Sequence, residues 1–278
     1  MRIAIASGKG GTGKTSVAVN LAATAGRSVT LVDCDVEEPN AHIFLKGDVV
    51  ATETVSMRVP AIDESRCTAC RACVEFCASN ALISFGGPPL FFADLCHGCG
   101  GCRLVCRARA ISEIARPLGE VRRIDAAQCT LVEGRLEVGV ASPVPVIKAA
   151  KASAKGDFVI YDAPPGTSCP LVATVRGADY VLLVTEPTPF GLSDLRLTVE
   201  VLRQMGMDFG VVINRTVRSE SLIHDYCHHE AIDILGEIPD DRRIAEAYAA
   251  GRLIVEALPG YRPLFRSILE ACLERVTA

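Results

Sequence analysis

Gly8-Lys9-Gly10-Gly11-Thr12-Gly13-Lys14-Thr15 follows the apolar run Arg2-Ile3-Ala4-Ile5-Ala6 after the single residue Ser7 and stands directly before the helical run Ser16 to Ala25. Strand, glycine-rich loop and helix in that order are the context a phosphate-binding loop requires. The glycines let backbone N–H groups turn inward on phosphate oxygens, and the following helix adds its positive N-terminal end. Lys14 reaches the terminal phosphates, Thr15 offers a hydroxyl to Mg2+, and Ser16 closes the loop. Several charge-assisted hydrogen bonds at about 1.5–3 kcal/mol each make such a loop a strong polyphosphate site.

Apolar strands recur along the rest of the chain. Leu31-Val32-Asp33-Cys34-Asp35, Phe158-Val159-Ile160-Tyr161-Asp162, Tyr180 to Thr185 and Gly210 to Arg215 read as buried strands, alternating with helices such as Ser193 to Met205 and Arg242 to Ala250. That alternation predicts an α/β fold with a doubly wound, mostly parallel sheet, its ligand at the carboxyl ends of the strands. Asp33, Asp35 and Asp162 fall at such ends, where carboxylates suit a hard Mg2+ ion. Asp33 and Asn214 also fit a plain strand-terminating role, since Asp and Asn favour turns.

Eight of the thirteen cysteines form two copies of one pattern, Cys67-x2-Cys70-x2-Cys73-x3-Cys77 and Cys96-x2-Cys99-x2-Cys102-x3-Cys106, displaced by 29 residues. A tight Cys-x2-Cys-x2-Cys loop supplies three thiolates from one side of a cubane cluster, and the fourth comes from elsewhere. In two-cluster ferredoxins it comes from the other repeat. The expected sets are therefore Cys67, Cys70, Cys73 with Cys106, and Cys77 with Cys96, Cys99, Cys102. Zinc has no use for this pattern twice over, and a disulfide framework belongs to small secreted chains. Ala81-Leu82 and Ala110-Ile111 continue the repeat and predict the halves of a small shared core. Ala78 and Arg107 stand where such motifs usually carry Pro. The module is expected at residues 60–114, between flanking segments 1–59 and 115–278.

The form Lys-Gly-Gly-x-Gly-Lys-Thr, with its early Lys9, resembles the deviant Walker A motif of the MinD/ParA/Mrp ATPases. Leu31 to Asp35 resembles that group's switch I, and Phe158 to Asp162 with Ala163-Pro164-Pro165-Gly166 its Walker B strand and switch II. The resemblance implies ATP and Mg2+ as ligands, hydrolysis to ADP and phosphate, and a homodimer in which Lys9 contacts nucleotide across the interface. Asp35 would orient the attacking water, and Asp162, with Asp33 and Thr15, would serve Mg2+. Asn214, Arg215 and Pro239 would line the base. With the two [4Fe-4S] sites, the whole resembles members of the group that contain an inserted α+β bacterial-ferredoxin-like domain.

Net charge is −4 without a Lys/Arg cluster, and no run approaches the ~20 apolar residues of a membrane helix. These readings argue against nucleic acid and stable membrane insertion, and point to a cytoplasmic enzyme. The apolar face of Leu264 to Val276 is expected to pack on the domain, because Glu270 and Glu274 oppose Arg266 and Arg275. Cys169 follows Asp162 by seven residues but has no evident co-ligands. Three functions remain open beyond the ATPase chemistry: nucleotide-gated electron transfer with a redox partner, metallocofactor maturation or cluster carriage for a client, and cell positioning.

Overall fold

The computed structural model describes residues 1–26, 29–217 and 221–277. Strand β1 (Arg2–Ala6) passes through the glycine loop into α1 (Lys14–Ala25), and β2 (Val29–Asp33) follows. The chain then makes a long excursion. It goes out along β3 (Gly47–Ile62), through α2 (Ala72–Phe76), β4 (Leu82–Ile83), β5 (Leu90–Phe91) and α3 (Gly101–Val105), and returns along β6 (Ile111–Ala126). Next come β7 (Thr130–Leu136), α4 (Val144–Ser153), β8 (Phe158–Asp162), α5 (Cys169–Val175) and β9 (Tyr180–Thr185). The chain ends with α6 (Pro189–Gln204), β10 (Phe209–Thr216), α7 (Leu222–His229), β11 (Ile234–Pro239), α8 (Arg242–Ala249), α9 (Ile254–Ala257) and α10 (Arg262–Thr277).

The main sheet has the order β11-β10-β9-β1-β8-β2-β7-β6-β3. It is parallel from β11 to β7, and β6 and β3 add antiparallel at one edge. Both faces of the parallel part are apolar, as a sheet covered by helices on each side demands. Ile3, Ile5, Leu31 and Ile160 face a core shared with α1 and α10, and Ala4, Ala6, Val32 and Val159 face one shared with α4, α5 and α6. The terminal helix α10 buries Phe265, Ile268, Leu269 and Cys272 in the first of these cores, as its apolar face predicts. No helix among the described residues is long and apolar enough to cross a membrane.

One strand and one helix differ from the sequence expectation. β2 stops at Asp33 instead of reaching Asp35, because the Asp33 carboxylate accepts the N–H groups of Asp35 (3.1 Å), Asn40 (3.0 Å) and Ala41 (3.0 Å) and so turns the chain out of the sheet. Helix α6 begins at Pro189 rather than Ser193, since the Thr188 hydroxyl caps it by accepting the Gly191 N–H (3.0 Å) and Pro189 has the φ a first turn needs.

The excursion joins the sheet by a continuous two-stranded ribbon. Positions 59/60 and 114/115 lie inside it, with Val59 opposite Ile114 and Pro60 opposite Glu113. Val55 pairs with Gly119 and Ser56 with Pro117, leaving Leu118 as a bulged residue that is buried in the core below. A Pro without N–H sits naturally at such an interruption. The bulge therefore pins the ribbon against the parallel part of the sheet.

Candidate functional site

The carboxyl ends of β1, β2, β8, β10 and β11 meet at a cleft of about 410 Å3 lined by the glycine loop, Asp35, Pro165, Asn214, Arg215 and Pro239. Gly13 has φ +91°, and a Cβ there would lie 2.4 Å from the Asn214 side-chain nitrogen, so only glycine fits on both counts. Helix α1 starts at the next residue and points its N-terminus into the cleft. Lys14 is buried there; burial lowers its pKa, opposed by the charges of Asp162, Asp35 and Asp33.

Asp162 is fully buried, and neither of its carboxylate oxygens meets a hydrogen-bond donor in good geometry. Burial pushes its pKa up to about 7, with the nearby Thr15 hydroxyl and Lys14 pulling down and Asp35 pushing up. An unpartnered buried carboxylate beside a hydroxyl is a fitting pair of oxygen ligands for Mg2+. Asp33 is equally buried, but its oxygens hold the backbone of the loop that carries Asp35. Burial and the charge of Asp162 raise its pKa well above the usual range. Asp35 lines the cleft, and burial raises its pKa to about 6 against the pull of Lys14.

Asn214 is turned toward the phosphate loop. Its amide donates to the Thr12 carbonyl (2.7 Å), and its side-chain oxygen accepts the Arg215 N–H (3.0 Å). Arg215 adopts φ +59° and pairs with Glu186 at 2.5 Å, while the other Glu186 oxygen stands 3.3 Å from Lys9. Glu186 thus joins the early lysine to the β10 end of the cleft. No local pattern marks Glu186, which stands in the turn Glu186-Pro187-Thr188 after β9, because its partners Lys9 and Arg215 are distant in sequence. Ile244 and Tyr248, which wall the cleft beyond Pro239, are equally unmarked in the sequence.

The cysteines gather at the far end of the ribbon. One cavity is lined by Cys67, Cys70, Cys73 and Cys106, and a second by Cys77, Cys96, Cys99 and Cys102. Burial pushes the Cys102 thiol's pKa up, and the neighbouring Cys96, Cys99 and, from the other set, Cys73 add to that rise. Backbone geometry repeats with the cysteines. Left-handed residues occur at Ala69 and Gly98, Arg71 and Gly100, and Asn80 and Arg109, each pair 29 apart. Ala81 N–H donates to the Cys77 sulfur and Ala110 N–H to the Cys106 sulfur, both at 3.3 Å. Non-glycine residues held at positive φ store strain and concentrate at functional sites. Leu82, Ile111 and Cys73 form the buried centre between the halves. Among the described residues no three His, Cys, Asp or Glu side chains converge closely enough to hold a single metal ion. A multi-iron cluster holds its thiolates farther apart than one ion does, so the two cavities and their donor sets fit such clusters.

The remaining cysteines separate cleanly. Cys34, Cys129, Cys227 and Cys272 are buried, and Cys169 is exposed at the start of α5.

A family model described as the CobQ/CobB/MinD/ParA nucleotide binding domain matches residues 3–254. An uncharacterized protein of Methanocaldococcus jannaschii is 30% identical, covering 90% of each chain. An iron-sulfur cluster carrier protein of Pyrococcus abyssi is 24% identical over 97% of this chain and 83% of its own. Among solved structures, the cell division ATPase MinD of Pyrococcus furiosus has a TM-score of 0.61 at 22% identity and covers 98% of both chains. This last likeness supports the P-loop α/β fold.

Proposed function

The chain belongs to the CobQ/CobB/MinD/ParA nucleotide-binding family, and from that premise we propose an ATPase, dimeric when ATP is bound, whose ribbon-borne ferredoxin-like module holds two [4Fe-4S] clusters. The observation that carries the reading is the grouping of the cysteines into two crossed sets of four around separate cavities. When bound, such clusters supply one-electron transfer.

In the cleft the chain's own groups divide the work. The loop amides from Gly8 to Thr15 and the Lys14 ammonium cradle the phosphates, and Pro239, Ile244 and Tyr248 offer an apolar wall to the base. Thr15 and Asp162 would hold Mg2+, which neutralises phosphate charge when bound. Asp35 orients the attacking water. Lys9 leaves Glu186 to reach the partner's nucleotide. Such a protein belongs in the cytoplasm, where thiolates stay reduced.

A cluster-carrier role is the second reading, favoured by the carrier relatives that match nearly the whole chain. Anaerobic purification separates the two. A resident redox module retains about eight iron and eight acid-labile sulfide per chain, cycles reversibly and resists chelators. A carrier hands its iron to an apo-protein acceptor. Less than one iron per chain after anaerobic purification and reconstitution would sink both.

Two variants test the ATPase half. Lys14→Ala is expected to lower turnover by about 10²–10³-fold, the range for losing one preorganised donor to transition-state charge, with iron content unchanged. Asp35→Ala should bind nucleotide normally and hydrolyse it about 10²-fold more slowly. With Mg2+ saturating, wild-type turnover should fall as pH drops through about 6, where Asp35 takes up its proton. The residual rate of Asp35→Ala should lack that acid limb, and a variant with normal turnover would place the water-orienting group elsewhere.

A further inference from the structure

Glu133 is 1% exposed on β7, and nothing in the phosphate chemistry calls for it. In the parallel register it lies beside Asp33, which lies beside Asp162. Three buried carboxylates therefore form a row across β7, β2 and β8, each facing a different task. Asp162 faces the cleft, and Asp33 holds the amides of Asp35, Asn40 and Ala41. Arg135 Nε donates to one Glu133 oxygen at 2.5 Å, and His42 Nδ1 stands 2.6 Å from the other.

His42 belongs to the short helical turn Ala41–Ile43, the next residues along the loop that Asp33 grips. The same stretch of β7 holds that loop twice more. The Leu136 N–H donates to the Val36 carbonyl at 2.7 Å. The Val36 side chain also packs over Gly134, where a Cβ would come within 2.6 Å of it. The segment from Glu133 to Leu136 is thus a cradle for the loop from Cys34 to Phe44, which carries Asp35 into the cleft. On its other side β7 pairs with β6, Glu133 opposite Arg122 and Gly134 opposite Val121, and β6 carries the ribbon out to the cysteine cavities.

We propose that Glu133 is a positioning residue: through His42 it sets the loop that presents Asp35 to the nucleotide, and through β7 it ties that loop to the root of the ribbon. The inference rests on the ATPase reading above for its kinetic part and on the fold alone for its mechanical part. A buried carboxylate approached on both oxygens is strongly held only while its partners stay, because removing one leaves a buried polar group uncompensated. Glu133 therefore suits a joint that moves as a unit with the loop. His42 and Arg135 are each about a third exposed, so they adjust at the surface while Glu133 stays fixed.

The test uses the full chain with Glu133→Gln, His42→Asn and the double variant. Turnover and amide hydrogen exchange are measured with and without a non-hydrolysable ATP analogue. Each single variant should lose about tenfold in kcat with KM changed less than about threefold, and the double should be no slower than either single, as for residues acting as one unit. In wild type the analogue should alter exchange both in the loop 8–16 and at the ribbon root, residues 47–55 and 118–126. In Glu133→Gln it should still protect 8–16 and leave the ribbon root unchanged. Unaltered kcat, additive losses, or a ribbon response that survives Glu133→Gln would each overturn the proposal. If Glu133→Gln fails to fold, His42→Asn removes the partner on the loop side and should reproduce the same uncoupling. Wild type without any ATP turnover would count against the ATPase reading instead, and the exchange arm would still decide the role of Glu133.

Discussion

Asp162→Asn is expected to make the nucleotide-free protein more stable and its hydrolysis at least about 10²-fold slower, two opposite effects from one oxygen-to-nitrogen change. The stability gain follows from the direction of its pKa. Asp162 is raised to about 7 in the folded state, chiefly by burial, from 3.8 in the unfolded chain. Between those values the folded state binds more protons than the unfolded state, so stability falls as pH rises through that window and stays low above it. The wild-type thermal midpoint without nucleotide should therefore drop between pH 5 and pH 8. Asparagine has no charge to desolvate. At pH 8 the variant should melt higher by roughly 3–6 °C, given a shift of about 2–4 °C per kcal/mol for a chain of this size. Mg2+ with nucleotide should raise the wild-type midpoint steeply and the variant's weakly, because a ligand stabilises only the state it binds. A variant that melts lower than wild type at pH 8, or that gains as much from Mg2+-nucleotide, would mean that the buried carboxylate is a structural acceptor rather than a site held ready for a cation.

The same carboxylate illustrates what the sequence makes legible. Phe158 to Asp162 reads as a strand from its apolar run alone, and the structure gives β8 those bounds, because a fully buried parallel strand has no competing local signal. The glycine loop is equally plain, since Gly13 meets both a steric and a conformational demand that no other residue satisfies. The loop after β2 was harder. Asp33 and Asp35 are indistinguishable as letters, yet one holds backbone amides and the other lines the cleft, and that division depends on residues 40 and 41 folding back. Asn214 has the same ambiguity, for its partner Thr12 is 202 residues away. Contacts between distant segments explain the other omissions too. Glu186 matters through Lys9 and Arg215, and Glu133 through His42, pairings that no local periodicity announces. The ribbon was missed for a different reason. Residues 47–62 alternate weakly and are mostly exposed, so their strand character comes from pairing with β6 rather than from burial.

Cys106→Ser is expected to abolish one cluster and to share its spectroscopic defect with Cys67→Ser, although Cys106 belongs by sequence to the other motif. The cavities divide the cysteines that way: Cys106 lines the one with Cys67, Cys70 and Cys73, and Cys77 lines the one with Cys96, Cys99 and Cys102. Repetition of the left-handed residues at intervals of 29 means that each half of the module turns its three-cysteine loop by the same backbone path. A loop wound so tightly closes over one side of a cluster, and the remaining coordination site opens toward the other half. Cys77→Ser should therefore match Cys96→Ser. Because each cluster would tie the two halves together and their shared centre is small, with Leu82 and Ile111 at its heart, losing either one should also loosen the module, as loss of metal does where binding energy is folding energy. Iron content should fall by about half in each variant, or further if the loosened module releases its second cluster. Electron paramagnetic resonance of the reduced proteins then assigns the pairs: Cys106→Ser must lack the signal that Cys67→Ser lacks. If it lacks the signal missing in Cys96→Ser, each motif supplies its own four ligands and the crossed arrangement is wrong. Turnover of ATP by these variants should persist, since the glycine loop lies at the other end of the ribbon from the cysteines and its own core does not include them.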